Sequence, residues 1–114
     1  MPKISSMSFN VKSISVFEKQ AKRLVKKFPS LKKELQNLIK ELKKQPLHGT
    51  SIGHNCYKIR LAISSKGKGK SGGARVITYV VLKNDTVYLL SIYDKSDIEN
   101  FAHKEILELI KLIP

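Results

Sequence analysis

The hydrophobic pattern of this chain changes its period at Pro46, and no other feature constrains the fold as strongly. Before Pro46, apolar residues recur every three to four positions, whereas after it they alternate with polar residues. A period near 3.6 is typical of amphipathic helices, and a period of two is typical of strands with one buried face. The sequence therefore predicts an α+β fold. Because it shows no repeat and no linker, we expect a single domain over residues 1–114.

Two amphipathic helices are predicted in the first half, after a short strand at residues 8–12. The first helix begins at Ser15, which forms a capping box with Glu18, and it ends at Pro29. The second begins after Ser30, a residue type that caps helices. Their apolar stripes comprise Phe17, Ala21, Leu24, Val25 and Phe28, and Leu31, Leu35, Leu38, Ile39 and Leu42. We expect a helical hairpin that covers one face of a sheet.

Three longer strands and a last helix are predicted in the second half. The strands lie at residues 56–63, 74–82 and 87–93, and a polar turn makes the last two a hairpin. The strand at 74–82 carries apolar residues on both faces, which indicates a central position. A helix capped by Ser96 or Asp97 follows. We therefore expect a small antiparallel sheet of about four strands, packed against the helical hairpin and followed by a C-terminal helix.

The chain is strongly basic, and its charge is unevenly distributed. It has 22 Lys and Arg against 9 Asp and Glu, which gives a formal net charge of +13. Residues 1–83 hold 19 of the basic and 3 of the acidic side chains, so residues 84–114 are slightly acidic. A folded basic surface of this size is typical of a protein that binds nucleic acid, an anionic membrane face or an acidic protein. Ordinary solvated lysines are the alternative for the two helices.

Several protein classes are excluded by what the sequence lacks. Its longest apolar stretch, residues 76–82, has seven residues and is interrupted by Thr78, whereas a membrane helix needs about 20. We expect no secretion signal. The single cysteine, Cys56, cannot form an internal disulfide, so we expect a cytoplasmic protein in which Cys56 is a packed apolar side chain. The three histidines are scattered and show no zinc-ligand spacing. We therefore predict no metal site and no cofactor.

A low-complexity loop at residues 64–73 joins the first two long strands. It places Lys66, Lys68 and Lys70 at alternate positions, separated by glycines. The lysines repel one another, and their arrangement becomes favourable when phosphate oxygens supply the counter-charge. A nucleotide-binding P-loop is excluded because a strand rather than a helix follows, and we attribute the GXXG match to KH domains to chance. A solubilising hairpin loop is the alternative.

Strand topology is expected to bring the remaining candidates to one edge of the sheet. In an antiparallel meander, the start of one strand lies beside the ends of both neighbours. Arg75, Tyr93 and Lys95 therefore converge with the lysine loop. Lys58 and Arg60 share the basic face of the preceding strand. Taken singly, Arg75 could form an ion pair with the aspartate that follows Tyr93, and Tyr93 could be a half-buried rim residue, but their convergence favours a site.

Two motifs give this chain a family resemblance. They are KGKGKSGGARVI at residues 66–77 and YDKSD at residues 93–97, preceded by two basic helices. With them, residues 14–112 resemble the RelE/ParE superfamily of type II toxin–antitoxin toxins, and most closely its RelE/HigB branch. The resemblance implies a metal-independent ribonuclease that enters the ribosomal A site and cuts messenger RNA. It also implies a cognate antitoxin, the ribosome with its 16S rRNA, and messenger RNA as partners, with no membrane and no small-molecule cofactor.

The resemblance implies roles for individual residues. In the family's chemistry a ribose 2′-OH attacks the adjacent phosphate. Arg75 would hold that phosphate, and Lys95 would stabilise its charge or the leaving oxygen. The RNA-binding candidates are Lys58, Arg60, Lys70, Lys22 and Lys26.

The groups that transfer protons are less clearly implied. Where RelE carries a tyrosine near the start of the final helix, this chain has Phe101, which cannot exchange a proton. Tyr93 is a candidate for that role, and Lys66 or Lys68 is a candidate general base. Two other functions stay open: ParE-like, non-catalytic inhibition of DNA gyrase, and binding of nucleic acid without activity.

Overall fold

The structure is a computed structural model, and it describes residues 8–64, 72–97 and 103–114. Its helices and strands are β1 (Asn10–Ser13), α1 (Ser15–Lys27), α2 (Leu31–Lys44), β2 (Thr50–Gly53), β3 (Cys56–Leu61), β4 (Ala74–Val81), β5 (Thr86–Asp94) and α3 (His103–Ile110). A 3₁₀ turn, Leu82–Asn84, joins β4 to β5. Lys66, Lys68, Lys70 and Phe101 lie outside the described residues.

The predicted α+β class and the helical hairpin are confirmed, and the sheet differs from the prediction in two details. Its five strands lie in the order β1-β5-β4-β3-β2, so β4 is central as predicted. Strand β1 pairs with β5 in parallel, whereas the other pairs are antiparallel. The second difference is β2, whose four residues alternate too little to predict a strand. The direction of β1 was not predictable, because a distant partner sets it.

The two helices bury the apolar stripes that the sequence predicts. Phe17 and Leu24 of α1 are buried, and so are the four leucines of α2. The predicted capping box is absent: Ile14 is the N-cap residue of α1, and Glu18 accepts a hydrogen bond from the Ser13 hydroxyl, at 2.6 Å from Oγ to Oε2. No helix within the described ranges is long and apolar enough to span a membrane.

Two local features shape the ends of the strands. The β2–β3 hairpin turns at His54 and Asn55, which both have positive φ, as a type I′ turn requires. Farther along the sheet, the β4–β5 register shifts by one residue, because Thr78 pairs with Leu89 while the preceding Ile77 pairs with Ser91. A bulge of this kind increases the local twist of a strand. It lies just before the part of β5 that carries the predicted site residues.

Candidate nucleic-acid site

Three strands align Arg60, Arg75 and Tyr93 in one row across the sheet. Arg60 of β3 pairs with Arg75 of β4, and Arg75 pairs in turn with Tyr93 of β5. Directly opposed residues of antiparallel strands project from the same face, with Cβ atoms about 4.5–5.5 Å apart. The structure therefore sets two guanidinium groups and a phenol side by side. This row, Arg60–Arg75–Tyr93, is the centre of the candidate site.

The three residues of the row differ in their exposure to solvent. Arg60 is exposed, whereas Arg75 and Tyr93 are 4% and 6% exposed. Buried charges are rare in proteins unless other groups support them. Here an Nη1 atom of Arg75 donates a hydrogen bond to the carbonyl oxygen of Ala74, at 3.1 Å. Tyr93 is thus more buried than the half-buried rim residue considered as an alternative.

A turn after β5 holds Lys95 at the same end of the sheet. The amide of Lys95 donates a hydrogen bond to the carbonyl of Gly73, at 2.9 Å. The backbone of Lys95 therefore lies opposite Gly73, which precedes Arg75 by two positions. The carboxylate of Asp94 closes the turn, because its Oδ1 accepts hydrogen bonds from the amide and the hydroxyl of Ser96, at 3.0 and 2.7 Å. Lys95 itself is exposed. Its ammonium can therefore reach a ligand that also contacts the row.

The two buried members of the row change each other's pKa. Burial lowers the pKa of Arg75, the charge of Arg60 lowers it further, and Tyr93 partly offsets both. A guanidinium nevertheless stays charged at neutral pH. Burial raises the pKa of Tyr93, Arg75 opposes that rise, and Glu105 of α3 adds to it. Because the net change is upward, Tyr93 is a neutral hydrogen-bond donor at neutral pH.

One side chain of α1 supports the strand that carries Tyr93. Strand β1 ends opposite Leu89, so β5 continues past its parallel neighbour. On this open side, Oε1 of Gln20 accepts hydrogen bonds from the amide of Ile92 and the hydroxyl of Ser91, each at 3.0 Å. An open groove of about 620 Å³ lies beside Gln20, between β5 and α3. Gln20 thus replaces the backbone partner that β1 does not provide.

The other predicted RNA-binding residues lie around the row rather than in it. Lys58 shares the face of Arg60 two positions earlier on β3, and it is half-buried. Lys22 and Lys26 are exposed on α1, one turn apart. Helix α1 starts beside Leu89, where the amide of Ile14 donates to the Leu89 carbonyl, and Gln20 lies beside Ile92, so the helix runs toward the site end of β5. Lys26 lies about 9 Å farther along the helix axis than Gln20. The predicted lysines 66, 68 and 70 lie outside the described residues.

The sequence did not reveal Gln20 and Glu105 as supporting residues of this site, and it offered Asp94 only as an ion-pair partner of Arg75. Gln20, Asp94 and Glu105 act through tertiary contacts or charge, and a single polar residue in a helix or strand gives no signal of that kind. A weak signal existed for Asp94, because Asp-x-Ser is a common pattern in turns closed by a side chain. In the described part of the chain, no group of three or more His, Cys, Asp and Glu side chains is placed to hold a metal ion.

Comparison with known proteins points to one family. A family model described as the RelE toxin of the RelE/RelB toxin–antitoxin system matches residues 14–113. Among solved structures, an arginine-to-alanine double mutant of E. coli toxin RelE in the free state is similar to this chain, with a TM-score of 0.64 and 20% identity over 95% of this chain and 100% of that one. The isolated E. coli RelE toxin gives a TM-score of 0.60 at 15% identity, over 93% and 100%. At these identities the structures show a shared fold.

Proposed function

The chain belongs to the RelE toxin family of toxin–antitoxin systems, and on that basis we propose that it is a ribosome-dependent, metal-independent endoribonuclease that cleaves messenger RNA. The observation that carries this proposal is the row Arg60–Arg75–Tyr93 with Lys95 beside it. Family membership implies an antitoxin partner. The ribosome and messenger RNA as partners, the RelE/HigB branch and a cytoplasmic location are parts of the proposal.

The proposed reaction is an internal transfer at phosphorus. The ribose 2′-oxygen forms a bond to the adjacent phosphorus while the bond from phosphorus to the 5′-oxygen of the next nucleotide breaks. The proton of the 2′-OH passes to a base, and the 5′-oxygen receives a proton. The products are a 2′,3′-cyclic phosphate and a 5′-hydroxyl. Negative charge increases on the phosphate oxygens in the transition state, so fixed cations accelerate the reaction.

Arg75 and Lys95 are suited to stabilise that charge. The guanidinium of Arg75 is held by its buried position and by its bond to Ala74, so it needs little reorganisation when charge develops. A guanidinium also offers donors in a fork that matches two phosphate oxygens. Lys95 adds a second cation from the turn that Asp94 closes. We assign the charge stabilisation to these two residues.

Tyr93 is suited to donate a proton or a hydrogen bond to the leaving 5′-oxygen. Its raised pKa keeps the phenol protonated at neutral pH, which favours a donor role over that of a general base. The general base is then one of the loop lysines, Lys66 or Lys68. Tyr93 would then take the acid–base role that the resemblance implies for the tyrosine near the start of the final helix in RelE, because this chain has Phe101 there.

Binding of the RNA and of the ribosome is assigned to the surrounding cations. Lys58 lies two positions from Arg60, the row's member on β3, and Lys22 and Lys26 offer exposed cations on α1. Lys70 would contact the RNA backbone from the loop. For Z phosphate contacts to a single strand, the logarithm of the binding constant should fall with the logarithm of salt concentration with a slope of about −0.7Z. A slope near zero would contradict nucleic-acid binding.

The test is cleavage of a defined messenger RNA on purified ribosomes, read by primer extension. We expect codon-positioned cuts by the wild type, a loss of about 10²–10³-fold in rate with Arg75→Ala, and an intermediate loss with Arg75→Lys. Lys95→Ala should lose activity without loss of stability, because its side chain is exposed. Lys111→Ala is the matched control: this lysine is also exposed, and it pairs with Glu108 on α3.

Two results would contradict the proposal. Undiminished cleavage by Arg75→Ala and Lys95→Ala would remove these residues from the reaction. Intact messenger RNA together with inhibition of DNA supercoiling by gyrase would replace the ribonuclease with a ParE-like function. Circular dichroism of each variant shows whether a lost activity reflects a lost fold.

A further inference from the structure

Two leucines are exposed at the end of the sheet opposite the candidate site. Leu47 is 55% exposed and Leu82 is 60% exposed. Together with Phe9 and Pro46 they line an open groove of about 480 Å³, and we call these four residues the Leu47–Leu82 surface. A second groove, of about 250 Å³, lies on the other side of Leu82, against Tyr79 and the end of β4. Exposed apolar residues gathered in grooves are typical of protein-binding surfaces.

This surface is separate from the site that the proposed reaction uses. Strand β4 begins next to Arg75 and ends at Val81, immediately before Leu82. Six residue steps along a strand span about 20 Å. A molecule bound at the Leu47–Leu82 surface therefore need not contact the row Arg60–Arg75–Tyr93.

The charges around the surface select the kind of partner. The charged side chains that line the two grooves are Lys44 and Lys83, and no acidic residue of the described ranges lines either groove. Glu41 and Asp85, which lie close by in the chain, line neither groove. Glu41 Oε1 lies 3.8 Å from His48 Nε2, and Asp85 is half-buried. The surface is thus apolar in its middle and basic at its rim.

Such a surface does not suit a second copy of this chain or an RNA. Each copy carries a formal charge of +13, so two copies repel each other. An RNA backbone gains nothing from two exposed leucines. The complementary ligand is an acidic, amphipathic protein segment that inserts apolar side chains beside Leu47 and Leu82 and places carboxylates near Lys44 and Lys83.

We propose that the Leu47–Leu82 surface is a docking site for an acidic amphipathic segment of the antitoxin, remote from the catalytic residues. This inference rests on the proposed function only in taking the partner to be the antitoxin that holds this toxin. Docking at this end anchors the antitoxin to the toxin without occupying the row. Affinity and inhibition can therefore be altered by different substitutions.

The test uses the full chain and its cognate antitoxin, with the dissociation constant measured by titration calorimetry. We expect Leu82→Ser to weaken binding about tenfold, and Leu47→Ser with Leu82→Ser about a hundredfold, since each removes an apolar anchor. Leu112→Ser is the matched control, because Leu112 is 54% exposed but lies beyond α3. It should change the dissociation constant less than twofold. Lys83→Gln should reduce the salt dependence of binding.

Other measurements separate this inference from the proposed function. Leu82→Ser should cleave ribosome-bound messenger RNA at the wild-type rate and melt at the wild-type temperature. If the wild type does not cleave ribosome-bound messenger RNA, the ribonuclease proposal is contradicted, but the docking result is unaffected. The docking proposal is overturned if Leu82→Ser binds the antitoxin within twofold of the wild type, or if Leu112→Ser weakens binding as much. It is also overturned if sedimentation shows a wild-type dimer that Leu82→Ser dissociates.

Discussion

Replacing Gln20 by methionine should destabilise the protein and disturb the site, although Gln20 touches no substrate in the proposed reaction. Oε1 of Gln20 accepts two hydrogen bonds, from the amide of Ile92 and the hydroxyl of Ser91. Methionine has a similar length and keeps the apolar contacts of the side chain, so the substitution removes mainly the acceptor. Ile92 immediately precedes Tyr93, and loosening this part of β5 displaces the phenol of the row.

The magnitude follows from these two contacts. A donor left without a partner in a buried site costs about 1–3 kcal/mol. The groove beside Gln20 is open, so water relieves part of that cost, and we expect a loss of about 2 kcal/mol in the free energy of unfolding for the pair. With an unfolding entropy of about 2.1 cal/mol/K per residue, a chain of this length loses about 4 °C per kcal/mol. The expected decrease in melting temperature is therefore about 8 °C.

Scanning calorimetry of Gln20→Met and of a matched control measures this effect. The control is Gln36→Met, because Gln36 is an exposed glutamine on α2. We expect the control to melt within about 2 °C of the wild type. Gln20→Met should also cleave messenger RNA several-fold more slowly at temperatures where it is folded. If both variants melt alike, the hydrogen bonds of Gln20 do not support β5, and the reasoning is refuted.

Three further outcomes are expected. Burial raises the pKa of the Cys56 thiol from 9.0 to about 11, so the thiol of the unfolded chain loses its proton at lower pH than that of the folded chain. In urea titrations under reducing conditions, the stability of the wild type relative to Cys56→Ala should therefore fall by about 2 kcal/mol from pH 8 to 10.5. A difference that stays constant with pH would contradict this. Thr78→Val should stabilise the protein by about 1 kcal/mol in the same titration, because the buried Thr78 hydroxyl has no hydrogen-bond partner among the described residues; destabilisation would show that the hydroxyl is satisfied. Asp94→Ala should slow cleavage about tenfold because it misplaces Lys95. Asp94→Asn keeps an acceptor for Ser96 and should keep most of the activity. Equal losses of cleavage rate in the two variants would show that the negative charge of Asp94, and not its acceptor, is required.

The elements that the sequence predicts well are those whose own residues determine their pattern. The stripes of α1 and α2 and the alternation along β3 depend on side chains a few positions apart, and in the structure the same side chains are buried or packed, partly buried, against the core. The row across β3, β4 and β5 was also predictable, because antiparallel hairpins place strand ends side by side. Local pattern and simple topology therefore account for the positions of Arg75 and Tyr93.

What the sequence does not predict depends on distant partners. Strand β2 is recognisable only from its pairing with β3, and the direction of β1 only from its pairing with β5. Helix α1 begins with Ile14 as N-cap rather than with a Ser15 capping box, because Ser13 takes the carboxylate of Glu18. The supports of the site are of the same kind: Gln20 acts on a strand more than 70 positions away in the chain.

The parallel pairing of β1 with β5 also determines the order in which the sheet can assemble. It joins Asn10 to Thr86, so it closes a loop of roughly 75 residues, whereas the β4–β5 hairpin closes a loop of about four. The entropic free-energy cost of closing the longer loop is larger by about 2.6 kcal/mol. The antiparallel strands, and with them the row Arg60–Arg75–Tyr93, can therefore form early in folding. We expect strand β1 and α1 to dock later and to bring Gln20 to Ile92. On this order, Arg60 and Arg75 come together early, and the hydrogen bonds from β5 to Gln20, which fix the position of Tyr93, form last.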